Sequence, residues 1–286
     1  MSVSVKELLS TLTRRGPHRV LRGNLGIAGQ PGVVYTPETG RGLPAVAFGH
    51  SWLTGVGRYR ELLEHLASWG IVTAAPDTER GPIPSHLGLA TDLLTTLDIC
   101  AGVRLGDGTV TVHPDRLALA GHGMGAGSAV IAAAQRHVGA VVMLFPVPTA
   151  PAAEPLATGI DTPALLVAGA DIAGVNSNAL PLATAWSGPL ILRRIDGATH
   201  NGLIEGRRAL VALGAGKHEP KAHRITRALL TGYLLHTLTG DKTYAAFADP
   251  EADIPRSTVI DPHAPVEEKE AKPAFSLGTL RQLVGR

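Results

Sequence analysis

The sequence predicts an α/β protein with a mostly parallel, doubly wound sheet of about eight strands and helices on both faces. From about residue 33 to residue 240, short aliphatic or β-branched runs alternate with segments of helical periodicity, and glycine or proline separates them. The chain has 286 residues, of which 44% are hydrophobic and 17% charged. It is therefore long enough to bury a full core, and its composition excludes a mostly disordered chain.

The predicted elements follow one another in a regular order. The runs predicted as strands are residues 33–36, 45–49, 71–75, 117–121, 140–145, 164–169 and 190–195. The segments predicted as helices are residues 58–69, 86–101, 126–135 and 225–238. Ligands of open parallel sheets bind beyond the carboxyl ends of the strands, so a functional site is expected in the loops that follow them.

Three regions are distinguished along the chain. Residues 1–19 form an N-terminal amphipathic segment with Val5, Leu8, Leu9 and Leu12 on one face. Packing of that face on the domain is favoured over contact with a lipid surface. Residues 20–249 form the α/β domain. Residues 250–286 are rich in proline and charge and are predicted as an extended tail, whose last stretch, FSLGTLRQLVGR, can form a short helix.

Composition also excludes several classes of partner and cofactor. Lys plus Arg (26) nearly balance Asp plus Glu (24), so no nucleic-acid partner is expected. The single Cys100 excludes disulfides and cysteine-based metal sites, and the scattered histidines predict neither a metal nor a cofactor. No apolar run reaches the ~18 residues of a membrane span. Charged residues occupy the place of a signal peptide's apolar stretch, so a cytoplasmic location is predicted.

The segment HPDRLALAGHGMGAGS, residues 113–128, is the most informative. A buried strand, a tight glycine-rich turn and a helix follow one another there, which is the setting of the G-x-S-x-G nucleophile elbow. Gly121 and Gly125 occupy the outer positions, but the central residue is Gly123. Glycine has no side-chain atom that can attack a carbonyl, so residue 123 cannot be a nucleophile.

The chain resembles the α/β-hydrolase superfamily, within it the branch of cutinases, polyester hydrolases and dienelactone hydrolases. HPDRLALAGHGMGAG follows that branch's D-P-x-R-L-A-v-x-G-H-S-M-G-G-G pattern, with Gly123 in place of the serine. AFGHSWLTG resembles the oxyanion loop, TPALLVAGADIAGV the strand that bears the acid, and IDGATHNG the histidine loop. The resemblance covers roughly residues 30–245 and implies an α/β-hydrolase fold.

The resemblance also implies roles for individual residues. His200 takes the position of the catalytic base, and Asp171 is the best candidate for its acidic partner, although it follows Gly169 by fewer positions than is usual in the family. Met124 is expected to supply one oxyanion-hole N–H, and His50 or Ser51 the other. The substrate class that the resemblance implies is a carboxylic ester. The low aromatic content of 4% favours an aliphatic pocket, so the expected partner is a small apolar acyl or ester ligand.

The missing serine decides which function is expected. Loss of a triad serine lowers turnover roughly 10⁶-fold, and only ~10³–10⁴-fold acceleration over water survives. The leading hypothesis is therefore a non-catalytic or weakly active pseudo-hydrolase that binds an acyl or ester ligand. Three alternatives remain open: hydrolysis by a water that His200 activates, a Ser-to-Gly variant of an active esterase, and an interaction or scaffold protein that acts through its terminal segments.

Two other serines are candidates for a replacement nucleophile. Ser51, on the oxyanion loop, can face the same pocket as His200, although it would attack from the side that normally holds the oxyanion donors. Ser128 lies inside the predicted helix, where its hydroxyl would face packing or an i−4 carbonyl. Dinucleotide binding is not favoured, because GHGMGAG lacks the G-x-G-x-x-G spacing ahead of the helix.

Overall fold

The computed structural model describes residues 4–174, 176–206 and 220–264. Within these residues the chain forms one nine-stranded open sheet, in the order β1-β2-β4-β3-β5-β6-β7-β8-β9. All neighbours from β4 across to β8 are parallel, whereas β1–β2, β2–β4 and β8–β9 are antiparallel. The strands are β1 Val20–Asn24, β2 Gly32–Pro37, β3 Gly40–Gly49, β4 Val72–Pro76, β5 Val110–His122, β6 Ala140–Leu144, β7 Ala164–Ala168, β8 Leu190–Ile195 and β9 Ser257–Ile260.

Helices cover both faces of the sheet, so the prediction of an α/β protein with a mostly parallel sheet is confirmed. The α-helices are α1 Val5–Leu12, α2 Arg60–Ser68, α3 His86–Gly102, α4 Met124–Ala133, α5 Glu154–Ala157, α6 Ala179–Ala185 and α7 Pro220–Thr239. Short 3₁₀ helices span Leu25–Ala28, Val56–Tyr59, His200–Leu203 and Lys242–Ala248.

Alternating residues of the strands build two separate cores. Val46 and Phe48 of β3 belong to the cluster that includes residues of α1, α2 and α7. Ala45 and Ala47 of the same strand belong to the cluster on the opposite face, with residues of α3, α4 and α6. Successive side chains of a strand point to opposite faces, which is why an uninterrupted apolar run is needed where both faces are covered.

The C-terminal part of the described chain differs from the prediction of an extended tail. Ser257–Ile260 is the edge strand β9, which pairs antiparallel with β8, and Ile254 is fully buried. The guanidinium of Arg193, in β8, donates to the carbonyl oxygens of Asp249 and Ala252 at 3.0 and 3.1 Å and so holds the segment that leads into β9. The tail prediction is therefore wrong for residues 250–264. Residues 265–286, including the predicted terminal helix, lie outside the described residues.

The N-terminal helix packs on the domain, as its apolar face predicts. Leu9 and Leu12 of α1 are buried in the cluster that contains α7. Ser4 and Glu7 form a reciprocal capping box at its first turn, which satisfies two backbone donors that the helix leaves unpaired. Among the described residues, no helix combines the length and apolarity needed to cross a bilayer.

Candidate functional site

Four loops meet at the carboxyl edge of the parallel strands. Ser51 follows β3, Gly123 follows β5, Phe145 follows β6, and His200 lies in the 3₁₀ helix after β8. This is the edge where the strand pattern predicted a site, because parallel strands all end on the same side of the sheet.

Gly123 forms a sharp turn between β5 and α4. Its φ of 58° and ψ of −118° lie in a region that glycine occupies far more readily than any other residue. Gly123 N–H donates to Leu144 O at 3.0 Å, which ties the turn to the end of β6. A Cβ added at Gly125 would collide with the backbone of Gly49, so the small residues here let α4 pack directly against β3.

Ser51 and His200 form a hydrogen-bonded pair, with Oγ 3.2 Å from Nε2. The other ring nitrogen of His200, Nδ1, lies 3.2 Å from the carbonyl oxygen of Phe145. A carbonyl oxygen only accepts, so Nδ1 carries the hydrogen, and Nε2 of the neutral ring is left as an acceptor. The Ser51 hydroxyl therefore donates to His200 Nε2, which is the arrangement that a general base needs before it removes a proton.

Phe145 presents its carbonyl to His200 from a strained backbone conformation. Its φ is +46°, in the left-handed region that β-carbon sterics disfavour by roughly 1–2 kcal/mol. Its N–H donates to Val167 O at 2.7 Å, which holds the residue in place beside β7. Backbone strain of this kind persists only where the surroundings fix it, and it concentrates at functional sites.

Two buried side chains connect the loop of Ser51 to the loop of His200. Ser51 N–H donates to Tyr59 Oη at 3.0 Å, and Tyr59 Oη lies 2.8 Å from His122 Nδ1. His122 Nε2 donates to the backbone carbonyl of His200 at 3.0 Å, so its Nδ1 accepts the Tyr59 hydroxyl proton. The rings of His122 and His200 also stack, with centroids 4.4 Å apart.

Of the residues predicted to donate to an oxyanion, Met124 remains a candidate, whereas Ser51 and His50 have other hydrogen-bond partners. Met124 is the first residue of α4, so its N–H has no acceptor within the helix and remains a candidate donor. The N–H of Ser51 is used by Tyr59, which differs from the expectation for Ser51. The ring nitrogens of His50 lie 2.9 Å from Ser51 O and 2.7 Å from Thr78 O, so its side chain links the loops after β3 and β4.

Asp171 does not occupy the position expected of an acidic partner. Its side chain is exposed, and Oδ1 accepts a hydrogen bond from Gly174 N–H at 2.7 Å. The Phe145 carbonyl lies at His200 Nδ1, the atom to which an acidic partner would bond. The short interval between Gly169 and Asp171 explains the difference, because Asp171 closes its own tight turn directly after β7.

A cavity of about 240 Å³ opens beside His200. Its walls are mostly apolar and come from the ends of β6 and β7 and from the histidine loop. They include Phe145, Pro146, Ala168, Asp171, Ala198 and His200. A ligand in this cavity would contact the imidazole of His200 and apolar side chains around it.

The donor set of the site does not resemble a metal centre. Within the described residues, no three His, Cys, Asp or Glu side chains are grouped so that they could hold a metal ion. Within the same residues, the ring nitrogens of His200 face a hydroxyl and a backbone carbonyl, groups that suit proton transfer better than binding of a transition metal.

Three contributors to the site have no clear signature in the sequence. Tyr59 and His122 act through their positions in the fold, and Phe145 acts through a main-chain atom. His122 lies directly before Gly123 in the sequence, but that position by itself assigns it no role. No protein-family model matches the chain, and a search of curated proteins returns no significant match.

Proposed function

We propose that this chain is an α/β-hydrolase-type protein that binds a small apolar acyl group or carboxylic ester and does not use residue 123 as a nucleophile. The observation that carries the proposal is the turn at Gly123, with φ 58° and ψ −118° between a buried strand and a helix, facing His200. A strained strand-to-helix turn of this kind is how α/β-hydrolases present their nucleophile to a histidine base.

The cavity beside His200 supports an acyl ligand. Its volume of about 240 Å³ lies just below the range of ~300–1,000 Å³ typical of drug-sized ligands, which favours a short acyl chain. Its walls offer aliphatic and aromatic surface, and His200 supplies a polar group at one side. Burial of each methylene of such a ligand contributes about 0.8 kcal/mol.

The geometry favours this proposal over hydrolysis by a water bound in the place of a serine side chain. A Cβ at residue 123 would lie 2.7 Å from His200 Cε1 and would also contact the Ser51 hydroxyl. The volume that such a water would need is therefore already occupied in part by Ser51. A water acting as the nucleophile would have to displace that hydroxyl from His200 Nε2.

Calorimetric titration with hexanoate and methyl hexanoate tests the proposal. We expect saturable binding of at least one of them, together with a rise in melting temperature. Ala170→Phe should abolish both effects, because Ala170 lines the cavity and is exposed enough to accept a larger side chain. Ala173→Phe is the matched control, since Ala173 is exposed in the same loop and does not line the cavity.

Two results of the binding experiment would contradict the proposal. Absence of both heat and thermal shift with either compound would overturn the proposal. Equal binding by the wild type and Ala170→Phe would place the ligand elsewhere on the protein.

A further inference from the structure

We propose that Ser51 is the nucleophile of this site and that His200 is its general base, in place of a serine at residue 123. The inference rests on the proposed function, because it concerns an acyl group or ester held at the same edge of the sheet. It adds a covalent step that the binding proposal does not require.

The Ser51 hydroxyl occupies the volume that a side chain at residue 123 would need. A Cβ added to Gly123 would approach Ser51 Oγ more closely than non-bonded atoms do, and it would lie 2.7 Å from His200 Cε1. A serine at 123 and the observed Ser51 rotamer therefore exclude each other. The glycine leaves room for a hydroxyl that arrives from the neighbouring loop.

The protonation pattern suits Ser51 as a proton donor. His200 Nδ1 donates to Phe145 O, so Nε2 accepts from Ser51 Oγ at 3.2 Å. The base is thus held in the tautomer that can take the hydroxyl proton. In a serine triad a carboxylate fixes this tautomer. Here the backbone carbonyl of Phe145 does so.

The surrounding hydrogen bonds hold both members of the pair in place. Tyr59 binds the main-chain N–H of Ser51, and His122 binds the main-chain carbonyl of His200. Tyr59 and His122 are both fully buried and bonded to each other. Substitution of either side chain would loosen the geometry of the pair, so both are positioning residues.

The reaction follows the two steps of acyl transfer. Ser51 Oγ attacks the ester carbonyl carbon as His200 Nε2 takes its proton, and a C–O bond forms while the carbonyl π electrons move to oxygen. The intermediate collapses with cleavage of the bond to the alcohol, which leaves with the proton from Nε2. Water then attacks the acyl-Ser51 ester, again deprotonated by His200, and the acid and the free hydroxyl are restored.

The site predicts slow turnover. A neutral carbonyl stabilises the imidazolium less than a carboxylate does, so proton transfer from Ser51 is less favoured than in a serine triad. The N–H of Met124 is the candidate donor to the developing oxyanion. Only 3% of Ser51 is exposed, so access of a reagent to Oγ is expected to be slow.

Labelling with a fluorophosphonate, followed by peptide mapping, tests the inference. We expect covalent modification at Ser51 that is lost in Ser51→Ala and falls strongly in His200→Gln. Ser128→Ala is the matched control: its hydroxyl is buried in α4 and finds no hydrogen-bond partner among the described residues, so the substitution should leave labelling unchanged. Modification of another serine in place of Ser51 would overturn the inference.

Ser51→Cys gives a second measurement that does not depend on turnover. Its thiol should react with iodoacetamide at least about tenfold faster than the thiol of Ser51→Cys/His200→Gln, because the imidazole favours the thiolate. Cys100 will not interfere, since burial raises its pKa to about 12. Equal alkylation rates in the two variants, together with absence of labelling at Ser51, would overturn the inference.

The two proposals fail in different ways. Ligand binding without labelling or thiol activation would leave the acyl-binding proposal standing and remove the nucleophile. Absence of binding in the calorimetric titration would count against the ester site itself, whatever the reactivity of residue 51.

Discussion

At the scale of single residues, the site depends on one main-chain conformation and one hydroxyl. Gly123 allows the turn after β5, and the volume above its Cα contains the Oγ of Ser51. The sequence indicated His200 and the vacant nucleophile position through the resemblance. It could not indicate that the Phe145 carbonyl lies at His200 Nδ1, because main-chain atoms carry no residue-specific signature.

The same geometry predicts the effect of adding a side chain at residue 123. Gly123→Ala should displace the Ser51 hydroxyl from His200 and abolish Ser51 labelling, at a cost of about 1–3 kcal/mol in the free energy of unfolding. Urea unfolding and fluorophosphonate labelling measure the two effects. The double variant Gly123→Ala/Ser51→Gly should recover part of the lost stability, since the Ser51 side-chain atoms that crowd the new Cβ are gone while His200 Cε1 remains. Full labelling in Gly123→Ala would contradict the geometry.

At the scale of secondary-structure elements, the parallel strands could be predicted from the sequence, whereas the edge strands β1 and β9 could not. Strands buried on both faces leave uninterrupted apolar runs, and the runs at 140–145, 164–169 and 190–195 correspond to β6, β7 and β8. β9 is only partly buried and lies in a segment rich in proline and charge. Its pairing is decided by long-range contacts through Arg193, which a local pattern does not contain.

Arg193 is therefore expected to hold the β9 edge in place. Burial lowers its pKa, and the charges of Asp249 and Asp253 offset part of that effect. Arg193→Met removes the donors to two carbonyls and should lower the free energy of unfolding by about 2–4 kcal/mol. Relative to the wild type, Arg193→Met should increase the rate of amide hydrogen exchange more in β9 than in β6.

Arg194→Met is the matched control for that prediction. Successive residues of a strand face opposite sides, and the Arg194 side chain is only half-buried. Its loss should change the free energy of unfolding by less than about 0.5 kcal/mol. Equal losses in the two variants would mean that Arg193 stabilises the edge no more than a surface arginine does.

At the scale of the whole molecule, a buried histidine and a partly buried glutamate near α2 make stability depend on pH. Burial, assisted by the charge of Arg227, lowers the pKa of His65 to about 4. Burial raises the pKa of Glu205 to about 7, although backbone N–H groups at the start of α2 and Arg227 oppose that rise. Glu61 contributes a like charge that also raises it.

The two groups act in opposite directions over most of the same pH range. Between pH 4 and 6.5 the unfolded chain binds a proton at His65 that the folded protein does not. The contribution of His65 to the free energy of unfolding is therefore lost as pH falls. Between pH 4.5 and 7 the folded protein keeps a proton on Glu205 that the unfolded chain has released. The contribution of Glu205 to the free energy of unfolding is therefore lost as pH rises. The two contributions offset each other between pH 4.5 and 6.5.

Single variants should separate these contributions. The free energy of unfolding of Glu205→Gln should rise from pH 4 to 6.5, and that of His65→Gln should fall from pH 4.5 to 7. Each slope is bounded by about 1.4 kcal/mol per pH unit, the value for one proton. Urea unfolding at unit intervals from pH 4 to 8 measures them. Parallel profiles for the two variants would refute the assignment.

The separation of Ser51 and His200 along the chain, 149 residues, affects when the site can assemble. At a synthesis rate of about 5–20 residues per second, the ribosome needs roughly 7–30 s to add the segment between them. Parallel pairing of β3, β5 and β6 needs only the chain made by then, whereas the His200 loop and β9 are translated later. A nascent chain can therefore bury much of its core while Ser51 still lacks its base, so we expect the reactive pair to arise only after the His200 loop has been translated.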